Sequence, residues 1–302
     1  MSASPDRHPL PEPAPAQLSC IGVVVHPRRD IEQPLQALRT WVGQHGAELV
    51  QIPVAGQDRR VAGTGEPEDC DLLVAIGGDG TMLAALRAGA PHGRPVLGVA
   101  SGSIGALAAI TVTHVDAALD RFTRGEWRPR RLPGLVVKHD RGADLFALND
   151  MSVVRAGEGQ VRTSVSVDGT LFARFAGDGC VVSTPIGSSA YSLSAGGPLL
   201  APDVRGFVMT PLATHGGFCP PLVVGHNAEL QLEFTVGHGG ARLEVDGQVW
   251  GTDIGPMVVS RADGMATTVT FNDQEPFITG LRDRHIILDS PRITAEDGRR
   301  GI

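Results

Sequence analysis

The first third of the chain alternates short apolar runs with amphipathic stretches. Ile21-Gly-Val-Val-Val25 reads as a strand, ended by His26-Pro27. Asp30 is placed to cap a helix in which Leu35, Leu38, Trp41 and Val42 recur at helical spacing, with Pro34 tolerated in the first turn. Strands over Glu48 to Pro53, Asp71 to Ile76 and Pro95 to Val99 follow, with an Ala/Leu-rich helix from Met82 to Ala90 between the last two. Strands alternating with helices predict a parallel sheet covered by helices. Ligands then bind at the carboxyl ends of the strands.

Beyond about residue 125 the period changes to two. Val165 to Phe175 alternates around Asp168-Gly169, and Leu243 to Trp250 around Asp246-Gly247, so both segments predict hairpins. Asp144 to Leu148, Glu229 to Thr235 and Thr267 to Phe271 add further strands, and this half reads as a sandwich of antiparallel sheets. The expected organisation is a disordered Pro/Ala-rich tail over 1–18, an α/β domain over 19–125 and a β-sandwich domain over 126–275. The last segment, 276–302, holds a short helical stretch and an Ile-Ile-Leu run and is expected to return to the first domain.

Composition narrows the chemistry. A hydrophobic content of 42% suffices for a core, yet no apolar run nears the roughly 18 residues of a membrane span. The stretch after Met1 lacks the apolar region of a signal peptide, and four scattered cysteines show no metal-like spacing. These features predict a cytoplasmic protein without a membrane partner. A net charge of −7 argues against a nucleic-acid partner. Lys138 is the only lysine and has no glycine loop beside it, which excludes the Walker P-loop and the protein kinases. Any phosphate chemistry must rest on backbone amides, arginine and metal. No Gly-x-Gly-x-x-Gly follows the first strand, which argues against a hydride-transfer dehydrogenase.

The most informative residues are Gly77-Gly-Asp-Gly-Thr81, set between a strand and a helix. Such a turn aims amides and a helix N-terminus at one point, which attracts phosphate. An Asp there repels phosphate unless it binds a metal or takes a proton from a hydroxyl. A second constellation runs from Gly177 to Pro198, where the strand Cys180-Val-Val182 enters Ser183-Thr-Pro-Ile-Gly-Ser-Ser189 and a short helix near Ala190. Its hydroxyls suit a sugar or phosphate, and Tyr191, the only tyrosine, suits stacking on a nucleobase. Asn149-Asp150 carries the donors and acceptors that suit a ribose diol. His215 is the one histidine with a candidate site role.

Together these segments resemble the NAD kinase family. The resemblance is carried by Gly77 to Thr81, Pro95-Val-Leu-Gly-Val99, Leu148-Asn-Asp150, Gly177-Asp-Gly179, Thr184-Pro-Ile-Gly-Ser188, Ala190 to Pro198, Thr210-Pro-Leu212 with His215, Pro221-Leu-Val-Val224 and Asp246-Gly-Gln248. It spans about residues 20–285. It implies an α/β plus all-β architecture: a Rossmann-like N-terminal domain, a C-terminal β-sandwich, and a site in the cleft between them. It implies a phosphotransferase that moves the terminal phosphoryl of ATP, or of polyphosphate, to the 2′-hydroxyl of the adenosine ribose of NAD. A divalent metal, magnesium, assists, and members are usually homodimers or homotetramers. Carried over by motif, Asp79 is the general base, with Gly78, Gly80 and Thr81 at the NAD and phosphate site. Asn149 and Asp150 hold ribose hydroxyls. Asp178, Thr184, Ser188, Ser189, Ala190, Tyr191 and Ser194 line the dinucleotide site, which Gln248 closes.

The chain departs from the family at Ala100, Ser103 and Ala106, where Asn, a basic residue and Phe are usual, and at Ala176 and Pro220, where arginine occurs. Arg87 and Arg174 are the candidates to restore positive charge. These departures leave two alternatives: a superfamily kinase acting on another hydroxyl, and a dinucleotide-binding sensor with little catalysis.

Overall fold

The apolar runs of the first third form neighbouring parallel strands in a computed structural model, which describes residues 13–101, 107, 110–140, 142–272, 277–283 and 285–294. The chain divides into two units, 1–130 with 267–302, and 131–266. Both boundaries fall inside long strands, whereas the change of sequence pattern had suggested residues 125 and 275.

The first unit runs β1 (Cys20–Val25), α1 (Glu32–His45), β2 (Glu48–Gln51), β3 (Gly63–Thr64), β4 (Leu72–Gly77), α2 (Asp79–Gly89), β5 (Pro95–Ala100), β6 (Ile110–Thr111) and α3 (Val115–Thr123). Its sheet has the order β5-β4-β1-β2-β3, and these strands are parallel. Burial on both faces accounts for strands that are apolar throughout rather than alternating. Ile21, Val23 and Val25 share a core cluster with Leu72, Val74 and Ile76, covered by Leu35, Leu38 and Trp41 of α1 and by Leu119 and Phe122 of α3. Burying one such leucine contributes about 1.5–3 kcal/mol. Asp30 acts one position outside the cap: its carboxylate accepts the Glu32 amide at 3.0 Å, while Ile31 is the N-cap residue. The pairings Val25↔Ile76 and Gly77↔Ala100 set the carboxyl ends of β1, β4 and β5 side by side.

The disordered tail expected over residues 1–18 does not extend to Ala16 or Leu18. Leu18 is buried, and the Ala16 amide donates to the Thr123 carbonyl at 2.9 Å. Residues 1–12 lie outside the described residues.

The second unit takes most of β7 (Arg128–His139), then β8 (Leu145–Ala147), β9 (Asp150–Arg155), β10 (Val161–Val167), β11 (Thr170–Gly177), β12 (Gly179–Ser183), α4 (Tyr191–Ser194), β13 (Gly206–Leu212), β14 (Leu222–Gly225), β15 (Leu230–Val236), β16 (Ala241–Val245), β17 (Gln248–Gly251) and most of β18 (Met257–Thr270). The chain ends in the first unit after α5 (Phe277–Asp283). One antiparallel sheet has the order β14-β13-β12-β9-β16-β17, and a second contains β11-β10-β15-β18. Both Asp-Gly turns form as expected. Asp168 and Gly169 have φ of 48° and 77°, Asp246 and Gly247 of 49° and 73°, the doubly left-handed geometry that matches strand twist.

The sandwich core joins Met151, Val153, Cys180, Val182, Phe207 and Met209 of the first sheet to Val161, Val165, Leu230 and Leu232 of the second. Successive side chains in a strand point to opposite faces. The residues between these core positions, Asp150, Ser152, Ser183, Thr210, Arg242 and Glu244, therefore line the opposite face of the first sheet. That face is polar.

Candidate functional site

At the end of β4 the chain turns directly into α2. Gly78 is the N-cap, and the amides of Thr81 and Met82 each donate to its carbonyl at 3.0 Å. None of Gly77, Gly78 and Gly80 has a positive φ, so left-handed backbone is not what the glycines provide. They provide space. A Cβ on Gly77 would lie 2.3 Å from Thr81 Oγ1, and one on Gly78 would lie 3.3 Å from Arg29 Nη1. Thr81 is buried against the bare Gly77, Asp79 is half-buried, and Gly80 is exposed. Asp79 Oδ1 accepts the Leu107 amide at 3.3 Å. Its carboxylate sits in the first helical turn, beside amides that have no intrahelical partner.

The positive charge at this turn comes from a residue that the sequence reading passed over. Arg29 Nη1 donates to the Ser101 carbonyl at 2.9 Å, which stretches the guanidinium from the end of β1 past Gly78 to the end of β5. His26 Nδ1 accepts the amides of Arg28 and Arg29 at 3.1 and 3.0 Å. Burial, then the charges of Arg29, Arg28 and Arg59, hold its pKa below the ordinary histidine value. The available signal was the pair Arg28-Arg29, placed just after a strand whose carboxyl end belongs to the ligand side. Arg87 is in the last turn of α2, about 12 Å along the helix axis from Asp79. Arg174 lies on β11, in the second unit.

In the second unit one carboxylate organises the corner at which β9 begins. Asp246 Oδ1 accepts the amides of Leu148, Asn149 and Asp150 at 3.1, 2.7 and 3.2 Å. The Thr184-Pro-Ile-Gly-Ser188 segment latches onto the same corner. Thr184 Oγ1 donates to the Leu148 carbonyl at 2.7 Å, and the Thr184 amide donates to the Asn149 carbonyl at 2.9 Å. Ser188 Oγ donates to the Pro185 carbonyl at 2.6 Å and accepts the Leu200 amide at 2.9 Å. The hydroxyls of Thr184 and Ser188 are thus buried and engaged in shaping the loop. Ser189, Ala190, Tyr191 and Ser194 keep access to solvent, and so does Gln248, the first residue of β17.

Asp150 is 7% exposed, and among the described residues no group donates a hydrogen bond to its carboxylate. Burial first, then the charges of Asp246 and Glu244, push its pKa up to about 7. Ser152 Oγ lies 3.5 Å from Glu244 Oε2, and Glu244 also pairs with Arg242. Tyr191 is 38% exposed, which removes it from the core. Burial first, then the charge of Glu244, raise its phenol pKa above the ordinary tyrosine value. Asp178 is at the far end of the strands from Asp150, where its carboxylate meets Arg155 Nε at 2.6 Å.

Asp79, Gly78, Gly80 and Thr81 thus form one cluster in the first unit, which also holds Arg87, and the other candidates belong to the second. Of the departures, Ala100 is buried at the end of β5, Ala176 is half-buried on β11, and Pro220 is exposed. Ser103 and Ala106 lie outside the described residues.

The chain has relatives of known kind. The model of the ATP-NAD kinase N-terminal domain matches residues 36–127, and that of the ATP-NAD kinase C-terminal domain matches 148–264. The NAD kinase of Heliobacterium modesticaldum is 35% identical over 207 residues, 67% of this chain and 71% of that protein. The NAD kinase of Wolinella succinogenes is 31% identical over 241 residues, 77% and 83% of the two chains. Among solved structures, yeast NADH kinase complexed with NADH superposes with a TM-score of 0.74 at 21% identity, over 91% of this chain and 89% of that one. An NAD kinase from Archaeoglobus fulgidus in complex with ATP gives 0.70 at 23% identity, over 89% and 100%. These two structures share the fold.

Three measurements test the local account. Gly77→Ala forces a Cβ onto buried Thr81, so equilibrium denaturation is expected to show a loss of about 1–3 kcal/mol, whereas Gly80→Ala, with open space beside it, stays within about 1 kcal/mol of the parent. Asp246→Ala leaves the amides of residues 148–150 without their acceptor and is expected to cost about 2–4 kcal/mol in urea denaturation. The third concerns pH. Asp150 titrates near 3.8 when unfolded and about 7 when folded, so the unfolded chain binds fewer protons across that window and stability falls as pH rises through it. The loss amounts to at most about 4 kcal/mol. Asp150→Asn is expected to flatten this slope when urea midpoints are compared at pH 4.5 and 8, and an unchanged slope refutes the assignment.

Proposed function

This chain belongs to the NAD kinase family, and we propose that it transfers the terminal phosphoryl group of ATP, or of polyphosphate, to the 2′-hydroxyl of the adenosine ribose of NAD, giving NADP. The observation that carries the substrate side of this reading is Asp150, a buried carboxylate with no donor among the described residues. Ribose hydroxyls supply the missing donors, and a raised pKa is relieved when they arrive. Asn149 beside it offers both donors and acceptors. Tyr191 presents a half-open aromatic face for a base, and the Arg242–Glu244 pair, on the same sheet face as Asp150, presents polar edges.

The reaction side rests on the first unit. A ribose hydroxyl is a poor nucleophile at neutral pH and needs a carboxylate within hydrogen-bond reach, the role assigned to Asp79. Phosphoryl transfer asks mainly for positioning and charge neutralisation. The free amides at the start of α2 and the Arg29 guanidinium serve both needs without a lysine.

Among the described residues no group of three or more His, Cys, Asp or Glu side chains is arranged to hold a metal by itself. This donor set fits a magnesium ion that arrives on the triphosphate and takes one or two protein carboxylates, with Asp79 the carboxylate nearest the phosphate-facing amides. When bound, the ion neutralises charge on the phosphates.

Two further features belong to the proposal. Val249 and Trp250 on edge strand β17, and Leu171 and Phe172 on edge strand β11, expose apolar side chains at sheet edges, which supports a homodimer or homotetramer. Cysteines 20, 70, 180 and 219 are unpaired, and no described helix is long and apolar enough to cross a membrane. The thiols support work in the reducing cytoplasm.

Asp79→Asn is expected to lower NADP formation from NAD, ATP and magnesium by at least about 10²-fold with an unchanged melting temperature. Activity near the parental rate refutes the base assignment. Tyr191→Ala is expected to weaken NAD binding by about 1–3 kcal/mol in calorimetry, and an unaltered Kd refutes stacking.

A further inference from the structure

The second sheet of the sandwich carries a cavity that, of the positions singled out above, touches Arg174, Ala176 and His215. It encloses about 530 Å³ between β10, β11, β15 and the loop 214–219. Small-molecule sites span about 300–1,000 Å³. Val161, Thr163 and Val165 of β10 turn inward and are buried. Alternation therefore sends Arg162 and Ser164 outward, and register sends their partners with them: Thr235 and Ala176 beside Arg162, Glu233 and Arg174 beside Ser164.

Arg162 and Arg174 are diagonal neighbours on this outer face, about 7–8 Å apart at the backbone. Among the described residues neither guanidinium has an ion-pair or hydrogen-bond partner. Two adjacent cations repel each other, and an anion seated between them reverses the sign of that interaction. The loop supplies the remaining parts. The His215 amide donates to the Ala176 carbonyl at 2.8 Å, which fixes the loop against β11. Its ring Nδ1 pairs with the Gln160 amide nitrogen, so in a neutral ring Nε2 carries the proton and is a donor. Phe218, also lining the cavity, is 90% exposed, a large apolar ring left in water.

We propose that this cavity is a nucleotide-binding site separate from the Asp150 face, with phosphates held between Arg162 and Arg174 and the base laid against Phe218. Glu233, across Ser164 from Arg174, is the acceptor for a sugar hydroxyl. Guanidiniums bind phosphate oxygens in paired, charge-assisted hydrogen bonds. An aromatic face suits any nucleobase. The site is independent of the NAD kinase reading, because its test reads occupancy and not turnover.

The test is photolabelling of the full chain with 8-azido-ADP, followed by digestion and peptide mapping. The expected result is label on the peptide containing Phe218, suppressed by excess pyrophosphate. Arg162→Gln with Arg174→Gln is expected to reduce that label by at least roughly tenfold, the loss of one charge-assisted hydrogen bond or more. Should the double variant fail to fold, Gly217→Leu gives the same reading. Gly217 lines the cavity, its φ is not positive, and a Cβ there meets nothing within 4 Å, so added bulk fills space without straining the backbone. Absence of label on the Phe218 peptide, or equal label in the parent and in a folded variant, overturns the proposal. Suppression by adenosine but not by pyrophosphate overturns the phosphate clamp.

Discussion

Amides converging on a single carboxylate determine how the second unit presents its chemistry. Asp246 sits in a left-handed turn residue's position and takes the amides of Leu148, Asn149 and Asp150. Those amides begin a strand and would otherwise be unpaired, so the turn at one strand end fixes the corner at another. The same carboxylate adds negative charge beside Asp150 and helps hold its proton. Thr184 then ties the Tyr191 loop to the corner from the other side. If Asp246 were lost, Asn149 and Asp150 would lose their placement before they lost their chemistry.

The first unit solves a related problem by different means. Asp79 is left at the open start of a helix, where the backbone supplies partial positive charge. Glycine makes this possible by being small: Thr81 folds back onto Gly77, and Arg29 passes over Gly78. The two units thus treat their carboxylates in opposite ways. Asp150 is buried toward neutrality, whereas Asp79 is half-exposed beside amides.

What the sequence made legible follows from periodicity and turn chemistry. The parallel strands of the first unit were visible as apolar runs, and both Asp-Gly hairpins were visible because only a few residue pairs tolerate doubly positive φ. Strands β9 and β13 escaped notice. Asn149-Asp150 resembles a turn by composition, and β9 begins inside it; Pro211 lies within β13, where proline usually argues against a strand. Without β9 there was no register, and without register Ser152 and Glu244 could not be placed together on one face. Arg29 was hidden for another reason: it follows a strand in a segment without regular structure, where spacing carries no directional information.

The second unit is an interruption of the first. The chain leaves the parallel domain inside β7 and comes back inside β18, whose Thr267 and Thr268 pair with Pro95 and Val96. During synthesis that end of β5 therefore waits for its neighbour until residues 131–266 have emerged from the ribosome, a delay on the order of ten seconds. The amino-terminal domain cannot finish assembling first. Its completion is timed by the domain nested within it, so a truncated nascent chain would present an apolar strand edge to whatever chaperone or neighbour meets it.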